Sequence, residues 1–283
     1  MAAAEWRNGV PPCQSALAMP CESAYVKGTM CTVVILRRPG HDWPLIVAAN
    51  RDEMAGRPSA APARHWPDRP EVVGGLDRLA GGTWFGLNDY GVVAGVLNRS
   101  DSLGPKFGYR SRGELPLEAL DHAEASVAAE ALSAIESASY RSFNAVIADG
   151  RDAYWLRSAG GREGRWAAVE VMELPVGLSM ITAYDLNDER SRRTRLYLPR
   201  FSDAQPPEPT SGDWRAWQAL LASRLHDADA GPEGAMTVVT DGGFGTVSSS
   251  LIAVPRATLE SEAPRWLFAD GRPGEVPYEQ VIM

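Results

Sequence analysis

The sequence predicts an α+β fold built largely from antiparallel sheets. Three observations carry the prediction. Short runs rich in Val, Ile and Leu come in pairs, joined by turns containing Pro, Gly, Asn or Asp, which is how hairpins read. Two helical stretches lie together between strand pairs. Nowhere does the strand–helix–strand rhythm of a parallel sheet recur. Of 283 residues, 45% are hydrophobic and 23% charged, ordinary for a globular chain able to bury a sizeable core.

The first pair is Thr32–Leu36 and Leu45–Ala49, joined by a turn-rich connection from Arg37 to Pro44. Antiparallel pairing returns the end of the second run to the start of the first. Cys31 therefore comes near Asn50-Arg51-Asp52-Glu53. A thiol becomes a nucleophile when a base takes its proton, and no His stands beside this one. An α-amine on Cys31 itself has a reference pKa of about 8 against about 8.5 for the thiol, a nearly balanced transfer. Asp52 would orient the ammonium. The alternative is a small apolar residue buried at a strand end, the commoner fate of a free cysteine.

Residues 1–29 read differently: no periodicity, Pro11-Pro12, and neither the basic start and apolar centre of a secretory signal nor the bias of a transit peptide. They are expected to be a leader without ordered structure. Either the true start is Met30, or a short propeptide is removed before Cys31. One domain follows over 30–283.

Residues 54–80, with Pro58, Pro62, Pro67 and Pro70, read as a long loop or flap. Trp84–Leu87 and Val92–Leu97 are strands around the turn Asn88-Asp89-Tyr90-Gly91, and Ala94 and Gly95 permit close backbone approach. Asn98 is either a turn residue or an amide donor for an oxyanion. A helix begins at Gly113–Leu120, and a second covers Glu124–Glu136 with Ser126 as its N-cap. Phe143–Gly150 and Ala153–Arg157 form a hairpin, and Trp166–Leu174 is a further strand. Pro175–Met180 returns the chain toward the first hairpin. Asn187–Arg195 carries four arginines: a solvated helix face, or one arginine facing the cleft to receive a carboxylate or phosphate. Asp213 caps a helix over Trp214–His226, with Trp217, Leu220, Leu221 and Leu225 on one face. Met236–Thr240 and Ser248–Val254 are the last core strands, and Trp266, Phe268 and Asp270-Gly271 mark a closing hairpin.

The formal charge of −8, with no basic cluster beside an aromatic platform, argues against nucleic acid as a partner. No apolar stretch approaches the ~18–20 residues of a membrane span. Three cysteines make no disulfide framework, which suits a reducing compartment; the expected location is the cytoplasm. No phosphate-binding glycine motif is present, and no histidine pairs with a second ligand, so no cofactor and no metal are expected.

Met30-Cys31-Thr32, Ala49-Asn50-Arg51-Asp52-Glu53, Gly81-Gly82-Thr83-Trp84-Phe85-Gly86, Gly95-Val96-Leu97-Asn98, Ser111-Arg112-Gly113-Glu114, Phe143-Asn144 and Phe244–Ser250 together resemble, in order, the NRDE family, the relatives of transport and Golgi organisation protein 2. That family in turn resembles N-terminal-nucleophile (Ntn) hydrolases of the bile-salt hydrolase and penicillin V acylase type. The resemblance implies a four-layer αββα sandwich. It implies Cys31 as nucleophile, Asp52 as its partner, Asn98 at the oxyanion, and Asn50, Arg51, Trp84 and Asn144 as substrate-binding residues. The implied reaction is hydrolysis or transfer at an amide or acyl bond of a small molecule. Two positions depart from the acylases: Ala49 stands where they place Arg, and Met180 where they place a second Asn. The alternative is a non-catalytic carrier, with haem or an acyl lipid as its cargo.

Overall fold

The computed structural model describes residues 31–100, 102, 104–160, 168–256 and 262–283. The expected leader over 1–29, and Trp166 at the head of one expected strand, lie outside them. In chain order the strands are β1 Thr32–Arg37, β2 Leu45–Met54, β3 Ser59–Ala63, β4 Val72–Asp77, β5 Phe85–Asn88, β6 Val93–Asn98, β7 Phe143–Ala148, β8 Ala153–Ser158, β9 Glu170–Glu173, β10 Gly177–Ile181, β11 Phe244–Val254, β12 Arg265–Ala269 and β13 Glu279–Gln280. Helices α1 (Glu114–Leu120) and α2 (Ala125–Ser133) precede β7; α3 (Arg192–Asp203) and α4 (Arg215–Leu221) precede β11.

The strands form two sheets, ordered β10-β1-β2-β11-β12-β13 and β3-β4-β5-β6-β7-β8-β9. Every ladder is antiparallel. Side-chain alternation then divides the core into three slabs. On β1 and β2, Val33, Ile35, Leu45 and Val47 meet Phe85, Leu87, Val93 and Trp155 of the second sheet. The intervening Val34, Ile46 and Ala48 meet Tyr197 and Phe201 of α3 and Trp217 and Leu221 of α4. On the far side of the second sheet, Ala94, Phe143, Ala145 and Ile147 pack on Leu115 and Leu120 of α1 and Ala128 and Leu132 of α2. Three cores between four layers make an αββα sandwich, as the resemblance implied. Each fully buried large side chain contributes about 1.5–3 kcal/mol over leaving it exposed.

Several boundaries differ from expectation. Strand β2 runs on through Asn50-Arg51-Asp52-Glu53 because β11 pairs with it as far as Met54, whereas β1 reaches only Asn50. Residues 54–80 contain β3 and β4 rather than an open loop. The first is an edge strand of small residues with Pro62, and the second has Gly74 and Gly75 at its centre, so neither shows a strand composition. Ser126 does not cap α2; its first amide, on Ala125, donates to Asp149 Oδ2 at 2.8 Å. Helix α4 ends at Leu221, whose carbonyl accepts from Asn50 and Thr237, and Leu225 is exposed. Met236–Thr240 is no strand; only an isolated bridge joins Val239 to Gly245.

The four sheet edges are each short or blunted. Strand β13 has two residues, and β9 presents exposed Glu170 and Glu173. Beside β10, Asn187 (φ 55°) donates its amide to the carbonyl of Met180 at 2.9 Å and accepts that residue's amide on Oδ1 at 2.7 Å.

Candidate active site

The hairpin of β1 and β2 sets the site. Cys31 immediately precedes β1, and its thiol donates to the main-chain carbonyl of Asp52 across the ladder at 3.6 Å. A cleft of about 260 Å³ opens here. Its walls are Cys31, Arg51 and Glu53 from the first sheet, Asp77, Trp84 and Asn98 from the second, and the segment 104–113. Along β2 the side chains alternate. Arg51 turns to the second sheet, where its guanidinium lies 3.8 Å from the Trp84 ring centre. Asp52 turns to the helical layer beneath.

There the Asp52 carboxylate is fully buried. Arg193 Nη1 donates to its Oδ2 at 3.0 Å, and Thr246 Oγ1 donates to its Oδ1 at 2.6 Å. The same Arg193 nitrogen donates to Thr32 Oγ1 at 2.6 Å, one residue from the thiol. A register shift between Thr246 and Ser248 on β11 bulges the strand opposite Asp52 and Arg51. Burial pushes the Asp52 carboxyl up, against the pull of Arg193's charge and of the two hydrogen bonds. Burial also pushes the Cys31 thiol up, to about 11, with Asp52's negative charge adding to the shift. The sulfur is therefore held in its thiol form at neutral pH.

Of the expected site residues, Cys31, Arg51, Asp52, Trp84 and Asn98 gather at the cleft, Asp52 by its neighbouring charge and carbonyl. The side chains of Asn50 and Asn144 are engaged within the protein, although Asn50 also lines a narrow cavity with Cys31, Arg51 and Trp84. Asn50 donates both amide hydrogens to the carbonyls of Leu221 and Met236 and accepts from Ser249, so it anchors the end of α4. Asn144 donates to the carbonyls of Thr182 and Tyr184 and accepts from Arg99 and Trp155, tying the two sheets together. The amide hydrogens of both are taken, and Asn50 Oδ1 keeps one lone pair. By contrast, the Asn98 side chain has no hydrogen-bond partner among the described residues. Met180 points into the helical-side core, away from the cleft.

Sequence reading left the choice among the four arginines open. Arg193 shares a helix face with Tyr197 and Phe201, four and eight residues on, and that spacing was a usable signal. The structure gives it the protein's own Asp52 as acceptor. Among the described residues no group of His, Cys, Asp and Glu is placed to hold a metal, and no helix is long and apolar enough to cross a membrane.

Four layers with a cysteine at the head of the first strand, opening on the cleft between the sheets, define the class: a four-layer αββα sandwich of antiparallel sheets. The family model described as Transport and Golgi organisation 2 matches residues 30–190. The chain belongs to that family. It is 36% identical over 110 residues to the Transport and Golgi organization protein 2 homolog of Homo sapiens, and 37% over 110 to that of Bos taurus. Each match takes in 37% of this chain and 38% of the relative, so well under two thirds of those proteins' length is spanned. Among solved structures, the chain is similar to a Caenorhabditis elegans ortholog of N-acylethanolamine-hydrolyzing acid amidase (TM-score 0.45, 14% identity, covering 78% of this chain and 92% of that one). It is also similar to a mutant conjugated bile acid hydrolase from Clostridium perfringens (TM-score 0.49, 11% identity, covering 89% and 92%).

Proposed function

We propose that the protein is a cysteine hydrolase or acyltransferase acting on an amide or acyl bond of a small molecule, with Cys31 as its N-terminal nucleophile. One observation supports this above the rest: the Cys31 thiol and the uncommitted amide of Asn98 line one cleft. Cutting the bond before Cys31 frees an α-amine whose reference pKa, about 8, suits it to take the thiol proton. The sulfur attacks the substrate carbonyl carbon. Asn98 donates to the resulting oxyanion. As the tetrahedral intermediate collapses, the C–N bond breaks and the ammonium returns its proton to the leaving amine. Water, or another acceptor, then cleaves the thioester. Asp52 favours the ammonium form by its charge; each carboxylate oxygen keeps a second lone pair beyond those taken by Arg193 and Thr246.

Intact-mass measurement of the protein as isolated from its native host is expected to find a chain beginning at Cys31. A haloacetamide is then expected to label Cys31 at neutral pH at least tenfold faster than in the uncut chain. A mature chain with residue 31 internal and unreactive would sink the mechanism.

A second reading, a non-catalytic carrier of haem or an acyl lipid, is favoured by Met180, which lies in the helical-side core where the acylases place a second Asn. Haem titration followed by absorbance tests it: saturable binding without turnover supports the carrier.

A further inference from the structure

Arg51 stands out among the buried cations of this chain. Its side chain is 7% exposed, yet its guanidinium makes no hydrogen bond to any acceptor among the described residues. A guanidinium has five N–H donors, and buried ones are normally satisfied. The nearest carboxylate oxygen, Glu53 Oε2, lies 4.0 Å away, beyond hydrogen-bond reach. Glu53 is drawn elsewhere: Oε1 accepts the Met54 amide at 2.8 Å, and Oε2 lies 3.7 Å from Arg57. Asp77, the other carboxylate at this wall, is held by Arg57 at 2.6 Å. Arg51 thus shares the Glu53 charge with Arg57 at ion-pair distance but donates no hydrogen bond to either acid.

Its plane is also fixed. Trp84 stacks on it at 3.8 Å, and Trp84 is itself seated over Gly75, where a Cβ would stand 2.3 Å from the indole. A fixed, desolvated fork beside a nucleophile is built to receive two oxygens of an anion.

We propose that Arg51 is the anion receptor of this cleft, and that the molecule it acts on carries a carboxylate or phosphate group close to the carbonyl that Cys31 attacks. This rests on the reading of Cys31 as nucleophile only for the position of the anion, not for its recognition. Burial lowers the pKa of Arg51, as expected of a cation whose counter-charge arrives with a ligand.

Iodoacetate and iodoacetamide test the proposal directly, because they alkylate thiols by the same displacement and differ in charge. Peptide mass spectrometry of the full chain reads Cys31 beside Cys13 and Cys21. The iodoacetate-to-iodoacetamide rate ratio at Cys31 is expected to exceed that at the other two cysteines at least tenfold, and to fall when inorganic phosphate or acetate is added. In Arg51→Gln it should collapse to the ratio of the other thiols; Arg51→Lys, which keeps charge but not the fork, should retain part. A cation that merely eased thiol ionisation would speed both reagents alike, and equal ratios would overturn the receptor. In parallel, phosphate and acetate should raise the thermal midpoint of the native chain but not of Arg51→Gln. If Cys31 resists both reagents even in the chain that begins at residue 31 while that stabilisation is present, the receptor stands and the hydrolase reading fails; if neither anion stabilises and the ratios match, the receptor itself is wrong.

Discussion

Asp52 and Arg193 decide how the site is held. A carboxylate with no exposed side-chain surface bonds to a guanidinium that is 4% exposed, at 3.0 Å. Taking both ions out of water is costly, and their mutual attraction offsets that cost only while both are present. Arg193→Leu is therefore expected to destabilise the fold by about 3–5 kcal/mol, the usual effect of stranding one buried charge. Adding Asp52→Leu should recover much of that loss. Urea denaturation midpoints of the two single variants and the double variant check this; additive losses would mean that the pair is not the origin of the cost. The string Asn50-Arg51-Asp52-Glu53 announced a site in the sequence, but not which way each residue points. Strand alternation decides that: odd numbers face the cleft and even numbers the helices, so neighbouring residues serve different layers.

Between elements, buried asparagines act as ties. Asn50 joins β2 to the end of α4, Asn144 joins β7 to the turn after β10, and Asn88 donates to the carbonyls of Leu120 and His122 at the end of α1. Replacing Asn50 by Ala takes one donor each from the carbonyls of Leu221 and Met236, which keep Thr237 and Thr246, with an expected loss of about 1–3 kcal/mol. Asn98→Ala, by contrast, should leave the unfolding midpoint nearly unchanged, because its amide ties nothing; a large loss there would contradict its free status. The elements themselves were largely legible. The β1–β2 hairpin, the strands around Asn88–Gly91, the helical layer and the closing strands all carried their own apolar periodicity or turn signals. What escaped were β3 and β4, made of Ala, Ser, Pro and Gly, and the ends of α2 and α4. Those ends are set by Asp149 and Asn50, residues far away in the chain.

For the molecule as a whole, the state of the Cys31 thiol ties stability to pH. Its thiol pKa rises from an ordinary value of 9.0 to about 11 in the uncut fold. A thiol whose folded pKa is raised contributes stability that is fully present below pH 9 and lost as pH climbs through about 11. The uncut chain should thus lose stability over pH 9–11, and Cys31→Ser should flatten that stretch of the curve; midpoints unaffected by the substitution would refute the shift. The α+β class was readable from paired apolar strands and adjacent helices, whereas the four layers came only through the family resemblance, because periodicity marks buried residues but not the layer they face. The cleft was readable only through its motif, since its walls come from residues that are dispersed along the chain and polar.

The blunted sheet borders have a further effect. Asn187 beside Met180, two-residue β13, Pro62 in β3 and the paired glutamates of β9 leave no long bare row of main-chain donors and acceptors for a neighbouring polypeptide to zip onto. Among the described residues, strand recruitment between molecules is thereby discouraged at all four flanks.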